Sequence, residues 1–131
     1  MSKKPEPQKT GMIQAPIMTE AAYFIHWVPA DRWKEAVTFF ETTIGLMLRN
    51  DTGEGWAEFS AGKITFALHA TDELKPCDTG LCFAVDDCDE AVAALKARGV
   101  KIKSEPHKVS EQGRAFEWLD PFGYSFSGYG K

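Results

Sequence analysis

The chain has 131 residues, 44% of them hydrophobic, and a net charge of -4, which suits one domain or two small packed halves that need neither disulfides nor a structural metal. Its three cysteines, Cys77, Cys82 and Cys88, form neither a CxxC pair nor a zinc-ribbon spacing, and a reduced cytoplasmic setting is expected. No apolar run reaches the roughly 20 residues of a membrane helix, and no basic patch interleaves with aromatics, so membrane and nucleic acid are excluded as main partners and a small organic molecule is expected.

Residues 1–20 are polar, with Pro5, Pro7 and Pro16, and read as a flexible N-terminal arm before a domain at 21–131. Ala21 to Val28 predicts a strand, and Pro29 ends it. Asp31 to Gly45 then reads as an Asp cap, an amphipathic helix with Val37, Phe40 and Ile44 on one face, and a glycine stop. Strands follow at Leu46–Asn50, Trp56–Ser60 and Ile64–His69, separated by turns at Asp51-Thr52-Gly53 and Ala61-Gly62. The polar stretch Thr71–Asp78 is a linker.

The order then repeats. Aligning Glu35-Ala36-Val37 with Glu90-Ala91-Val92 also pairs Asp31 with Asp86 and Phe40 with Leu95, and a one-residue gap then pairs Gly45 with Gly99. The second half predicts a strand at Thr79–Val85, a helix at Asp86–Arg98, a strand at Val100–Ser104 and a loop through Pro106 and His107. Strands at Arg114–Leu119 and Tyr124 to about Gly128 flank the turn Asp120-Pro121-Phe122-Gly123. Two tandem βαβββ modules result, at about 21–69 and 79–131. The expected class is α+β, a curved mixed sheet with helices on one face and a concave groove on the other.

Asp31 with Phe39-Phe40 and Ile44-Gly45-Leu46, then Gly62 with Leu68-His69, then Asp120-Pro121-Phe122-Gly123-Tyr124, together resemble the vicinal oxygen chelate superfamily. It includes glyoxalase I, bleomycin-resistance proteins, extradiol dioxygenases and fosfomycin-resistance enzymes. The resemblance implies a homodimer, with grooves inside one chain or across two. It also implies four metal-ligand positions on the first, fourth, fifth and eighth strands, which fall here at Phe24, at or near Ala67, at or near Gly80, and at Ser127. None of the four is a competent ligand for a divalent cation.

Strand alternation suggests a displaced alternative. If the matched positions face the groove, His26, His69 and Glu58 face it too, and two histidines with a carboxylate suit zinc or iron(II). Otherwise the groove is aromatic and small-residue lined. Phe24 and Trp56 are its expected walls, His26, Glu58 and Ser127 its polar contacts, and Trp56 is placed to stack on a planar or cationic ligand. The acidic balance leans toward a cation. Cys82 reads as buried filler, Glu117 as a solvated strand residue, and Asp120 as a group bonded to its own turn.

Three functions follow as expectations. The first is cofactor-free binding of a small organic molecule in the groove. The second is a metal-dependent lyase or dioxygenase using His26, His69 and Glu58, and the third is a protein-interaction module with a vestigial groove.

Overall fold

The structure, a computed structural model, describes residues 15–131. The expected N-terminal arm lies outside the described residues up to residue 14, and residues 15–20 carry no helix or strand. Eight strands follow: β1 (Tyr23–Pro29), β2 (Met47–Asp51), β3 (Trp56–Ala61), β4 (Ile64–Thr71), β5 (Asp78–Ala84), β6 (Lys101–Lys108), β7 (Arg114–Leu119) and β8 (Ser125–Gly130). They form two separate four-stranded mixed sheets, ordered β1-β4-β3-β2 and β5-β8-β7-β6. In each sheet the first strand of the module pairs in parallel with the last, and the remaining pairs are antiparallel. Strand β6 runs through Pro106 and His107, where a loop was expected. Proline sits there on the outer strand of the sheet, which needs no N–H from it.

The two helical segments differ in a way that accounts for the one-residue gap. The first begins with a 3-10 turn at Ala30–Arg32, continues as α1 (Trp33–Thr38), and widens into a π-helical turn at Phe39–Ile44. Phe40 and Gly45 are five residues apart, against four between their counterparts Leu95 and Gly99. The extra residue is taken up by the wide turn, in which the Gly45 N–H donates to the Phe40 carbonyl at 3.2 Å. An added residue inside a helix is accommodated as a π turn because the hydrogen bond then closes five residues back instead of four. Gly45, at φ 94°, ends the segment in the left-handed region.

The second helix, α2 (Cys88–Ala97), is regular, and its cap is Asp87, whose carboxylate accepts from the Glu90 N–H at 3.0 Å. The expected caps Asp31 and Asp86 do not serve. Asp31 lies within the 3-10 turn, and α1 starts without a side-chain cap.

Phe40, Phe59, Phe66, Phe116 and Phe126 are all essentially inaccessible. Each buried aromatic contributes on the order of 2–3 kcal/mol. Phe40 stands 4.9 Å from Phe66 in the first sheet and 5.9 Å from Phe126 in the second, ring centre to ring centre, so one aromatic core joins the modules. Arg98, just after α2, adds a second tie by donating from its guanidinium to the Thr43 carbonyl at 2.7 Å. Among the described residues no helix is long and apolar enough to cross a membrane.

Candidate binding face

Burial along β1 alternates, and the alternation decides the site. Phe24, His26 and Val28 point inward, while Tyr23, Ile25 and Trp27 are 51%, 44% and 47% exposed. In β3 the buried residues are Ala57 and Phe59, which turns Trp56, Glu58 and Ser60 to the other side. The register pairs Ile25 with Ala67, Trp27 with His69, Glu58 with Ala67 and Trp56 with His69. Residues paired across adjacent strands share a face. The free face of the first sheet therefore carries Tyr23, Ile25, Trp27, Trp56, Glu58, Ala67 and His69.

This corrects the sequence reading for Phe24 and His26. Both belong to the inward face, opposite to Trp56 and Glu58. Phe24 stacks on Phe66 at 5.9 Å. His26 is 2% exposed, stands edge-on to Tyr124 and Phe126 at 4.6 and 5.0 Å, and its Nε2–H donates to Asp120 Oδ2 at 2.7 Å. The trio His26, His69 and Glu58 is thus not brought together, because the sheet lies between its first member and the other two. Among the described residues no three His, Cys, Asp or Glu side chains are grouped so as to hold a metal ion. The family positions themselves do not fit a metal either. Phe24, its outward neighbour Ile25 and Ala67 carry no donor atom, Gly80 has no side chain, and Ser127 offers one neutral hydroxyl.

The free face is built as an aromatic row with a carboxylate beside it. Trp56, His69 and Trp27 sit abreast on β3, β4 and β1, with His69 4.3 Å from Trp27 and 5.7 Å from Trp56 between ring centres. Tyr23 reaches diagonally across β4 to 6.2 Å from Trp56. The residue beneath that diagonal is Ala67, which explains why an alanine on a free face is fully buried. The indole N–H of Trp56 donates to Glu58 Oε2 at 2.9 Å, and the Nδ1–H of His69 donates to the Ala70 carbonyl at 2.9 Å. Trp56 and Glu58 share this face as the strand alternation predicts, and Tyr23, Ile25 and Trp27, which the sequence did not single out, join them; the only signal was that both alternating sets in β1 are rich in large apolar residues.

The second sheet repeats the arrangement with smaller residues. Glu117, between the buried Phe116 and Trp118, pairs with Ser127, and Ser127 pairs with Cys82. Glu117 accepts from the Ser104 hydroxyl at 3.2 Å. Glu117 on β7 and Glu58 on β3 therefore hold equivalent places in the two modules, each one strand over from a family ligand position. Cys82 is exposed on this face, contrary to its reading as core filler, and burial of the thiol itself, then the neighbouring Cys88, pushes its pKa up. Asp120 does bond its own turn, since its Oδ1 accepts from the Phe122 and Tyr124 N–H groups.

Two βαβββ modules, each with a helix-covered inner face and a free outer face, define a paired-module fold. The family model for the Glyoxalase/Bleomycin resistance protein/Dioxygenase superfamily matches residues 22–127, and the chain belongs to that superfamily. Among solved structures it is similar to a superfamily member from Sphaerobacter thermophilus, at 22% identity and TM-score 0.74, covering 88% of this chain and 100% of that one. It is also similar to an antibiotic binding protein from Streptomyces sp. (24%, TM-score 0.67, covering 87% and 97%) and to lactoylglutathione lyase from Agrobacterium tumefaciens (15%, TM-score 0.69, covering 88% and 95%). Identities this low carry the fold alone. No curated protein matches the sequence.

Proposed function

We propose that this protein binds a small, flat organic molecule on the free face of its first sheet without a metal ion, making and breaking no bond. One observation carries the reading: Trp56, His69 and Trp27 form a continuous aromatic row on the free face, two residues along β4 from the family position at Ala67, and none of the four family positions carries a side chain suited to a divalent cation. An aromatic wall with few polar groups suits recognition by stacking. The antibiotic-binding relative supports binding as a role available to this fold.

The chain acts as a homodimer in this reading, in the cytoplasm. Because the inner faces of both sheets share one core, with Phe66 5.9 Å from Phe83 and 6.2 Å from Phe126, their free faces point away from each other. One copy thus supplies one wall to each of two grooves. The exposed Tyr23, Ile25 and Trp27 are covered when a second copy brings up its own β5-β8-β7-β6 sheet, with Ser127, Cys82 and Glu117.

The test is binding of planar aromatic compounds to protein stripped with a chelator, followed by tryptophan fluorescence, alongside sedimentation to count subunits. Binding to stripped protein that is lost in Trp56→Ala, by a dimer, is the expected result. Binding that appears only on adding a divalent ion would overturn the reading.

A further inference from the structure

We infer that the ligand of this face is an organic cation, a flat body carrying an ammonium, pyridinium or guanidinium charge; the inference rests on the binding reading above and specifies its chemistry.

Three independent features of the site agree. The first is geometric: Trp27, Trp56 and Tyr23 lay aromatic rings over the free face, covering Ala67 beneath them, and the faces of aromatic rings carry the negative part of their quadrupole. The second is the hydrogen-bond pattern. The Trp56 N–H is spent on Glu58 and the His69 Nδ1–H on a backbone carbonyl, so neither of these donors is free for an anion, and Glu58 sets a carboxylate beside the aromatic row.

The third is the repetition of the carboxylate. Glu58 pairs with Ala67 and Glu117 with Ser127, so the two sheet faces carry half-buried carboxylates at matching places. Each is held by a donor on its own sheet, the Trp56 indole or the Ser104 hydroxyl. When the first face of one copy meets the second face of another, both walls contribute a negative charge to one groove. Arg49, at the bulge of the edge strand β2, donates to the Ser60 hydroxyl at 3.4 Å, two residues along β3 from Glu58.

The experiment compares N-methylquinolinium with its uncharged isostere 1-methylnaphthalene and with 1-naphthalenesulfonate, on the full chain and on Glu58→Gln and Trp27→Ala. Tryptophan fluorescence and calorimetry read the affinities. The cation is expected to bind about tenfold more tightly than the neutral isostere. That preference should shrink with added salt and fall to near parity in Glu58→Gln. Trp27→Ala weakens both probes. Equal affinities that Trp27→Ala still abolishes would overturn the inference while leaving the binding reading intact, as would tighter binding of the sulfonate. Failure of every probe to bind would count against both.

Discussion

His26 and Asp120, 94 residues apart in the chain, meet at 2.7 Å in the interior and tie the first strand of one module to the closing turn of the other. Asp120 holds its turn through Oδ1 and His26 through Oδ2, so the pair couples a local element to a long-range one. With both side chains almost completely buried, His26→Ala leaves a carboxylate without its partner away from water. It should cost about 3–5 kcal/mol in urea unfolding. His26→Leu combined with Asp120→Asn should recover a large part of that, because asparagine keeps an acceptor for the turn without the charge. A single-variant loss below about 1 kcal/mol would show that the pair is not structural.

The reversal of faces in β1 separates two neighbouring substitutions. Phe24→Leu changes packing against Phe66 and should lower stability by about 1 kcal/mol while leaving ligand affinity unchanged. Trp27→Ala removes a half-exposed side chain, should leave the melting temperature nearly unchanged, and should reduce affinity about tenfold. The opposite pattern would return Phe24 to the binding surface.

Deleting Thr42, an exposed residue of the π turn, should convert that turn to regular α-helix and leave a folded protein with native circular dichroism. The deletion moves the Thr43 carbonyl, which accepts from Arg98 in the native chain. Arg98→Ala should therefore cost roughly 1–2 kcal/mol in the full-length background and close to nothing in the deletion. Equal costs in both would mean that the π turn does not position the carbonyl.

Two glycines predict unequal costs. A Cβ at Gly128 would run into the ring of the buried Phe116, whereas one at Gly113 would meet the ring of Tyr129, which is 39% exposed and able to move. Gly128→Ala should destabilise by at least about 2 kcal/mol and Gly113→Ala by clearly less, as read from thermal melts.

Cys82 should be sluggish toward iodoacetamide at neutral pH. Burial, and to a lesser extent Cys88, raises its pKa above the ordinary 9.0, and only the thiolate reacts. Its alkylation rate should climb as pH rises past that value, and it should drop when a planar ligand fills a groove that includes the second sheet. Fast reaction at neutral pH, or no protection by ligand, would contradict these placements.

Much of the architecture was legible from the sequence because its signals are local. Pro29, the Asp51-Thr52-Gly53 turn, Gly45 and Gly99 with positive φ, and the Asp120 turn all act through their own backbone. The one-residue gap between the halves was visible too, and the π turn is its structural meaning. The Asp31 and Asp86 caps were misplaced by a residue or more, because several polar residues near a helix start compete and the tertiary path selects among them.

The sequence by itself determined two βαβββ repeats, their order and the turns between them, together with an alternation in β1 of Tyr23, Ile25 and Trp27 against Phe24, His26 and Val28. It did not determine which set is buried. Judged by hydrophobicity alone, the set with Trp27 and Ile25 should have gone inside in place of the one with a histidine. The tertiary structure reversed this because Asp120, delivered by the other module, satisfies His26 in the interior, and Phe40, Phe66 and Phe126 pack around its ring. Burying a polar group is tolerable only when its partner is buried with it, and that partner lies 94 residues away. The same contact leaves Tyr23, Ile25 and Trp27 facing outward, as the surface on which this protein meets its ligand in the function proposed here.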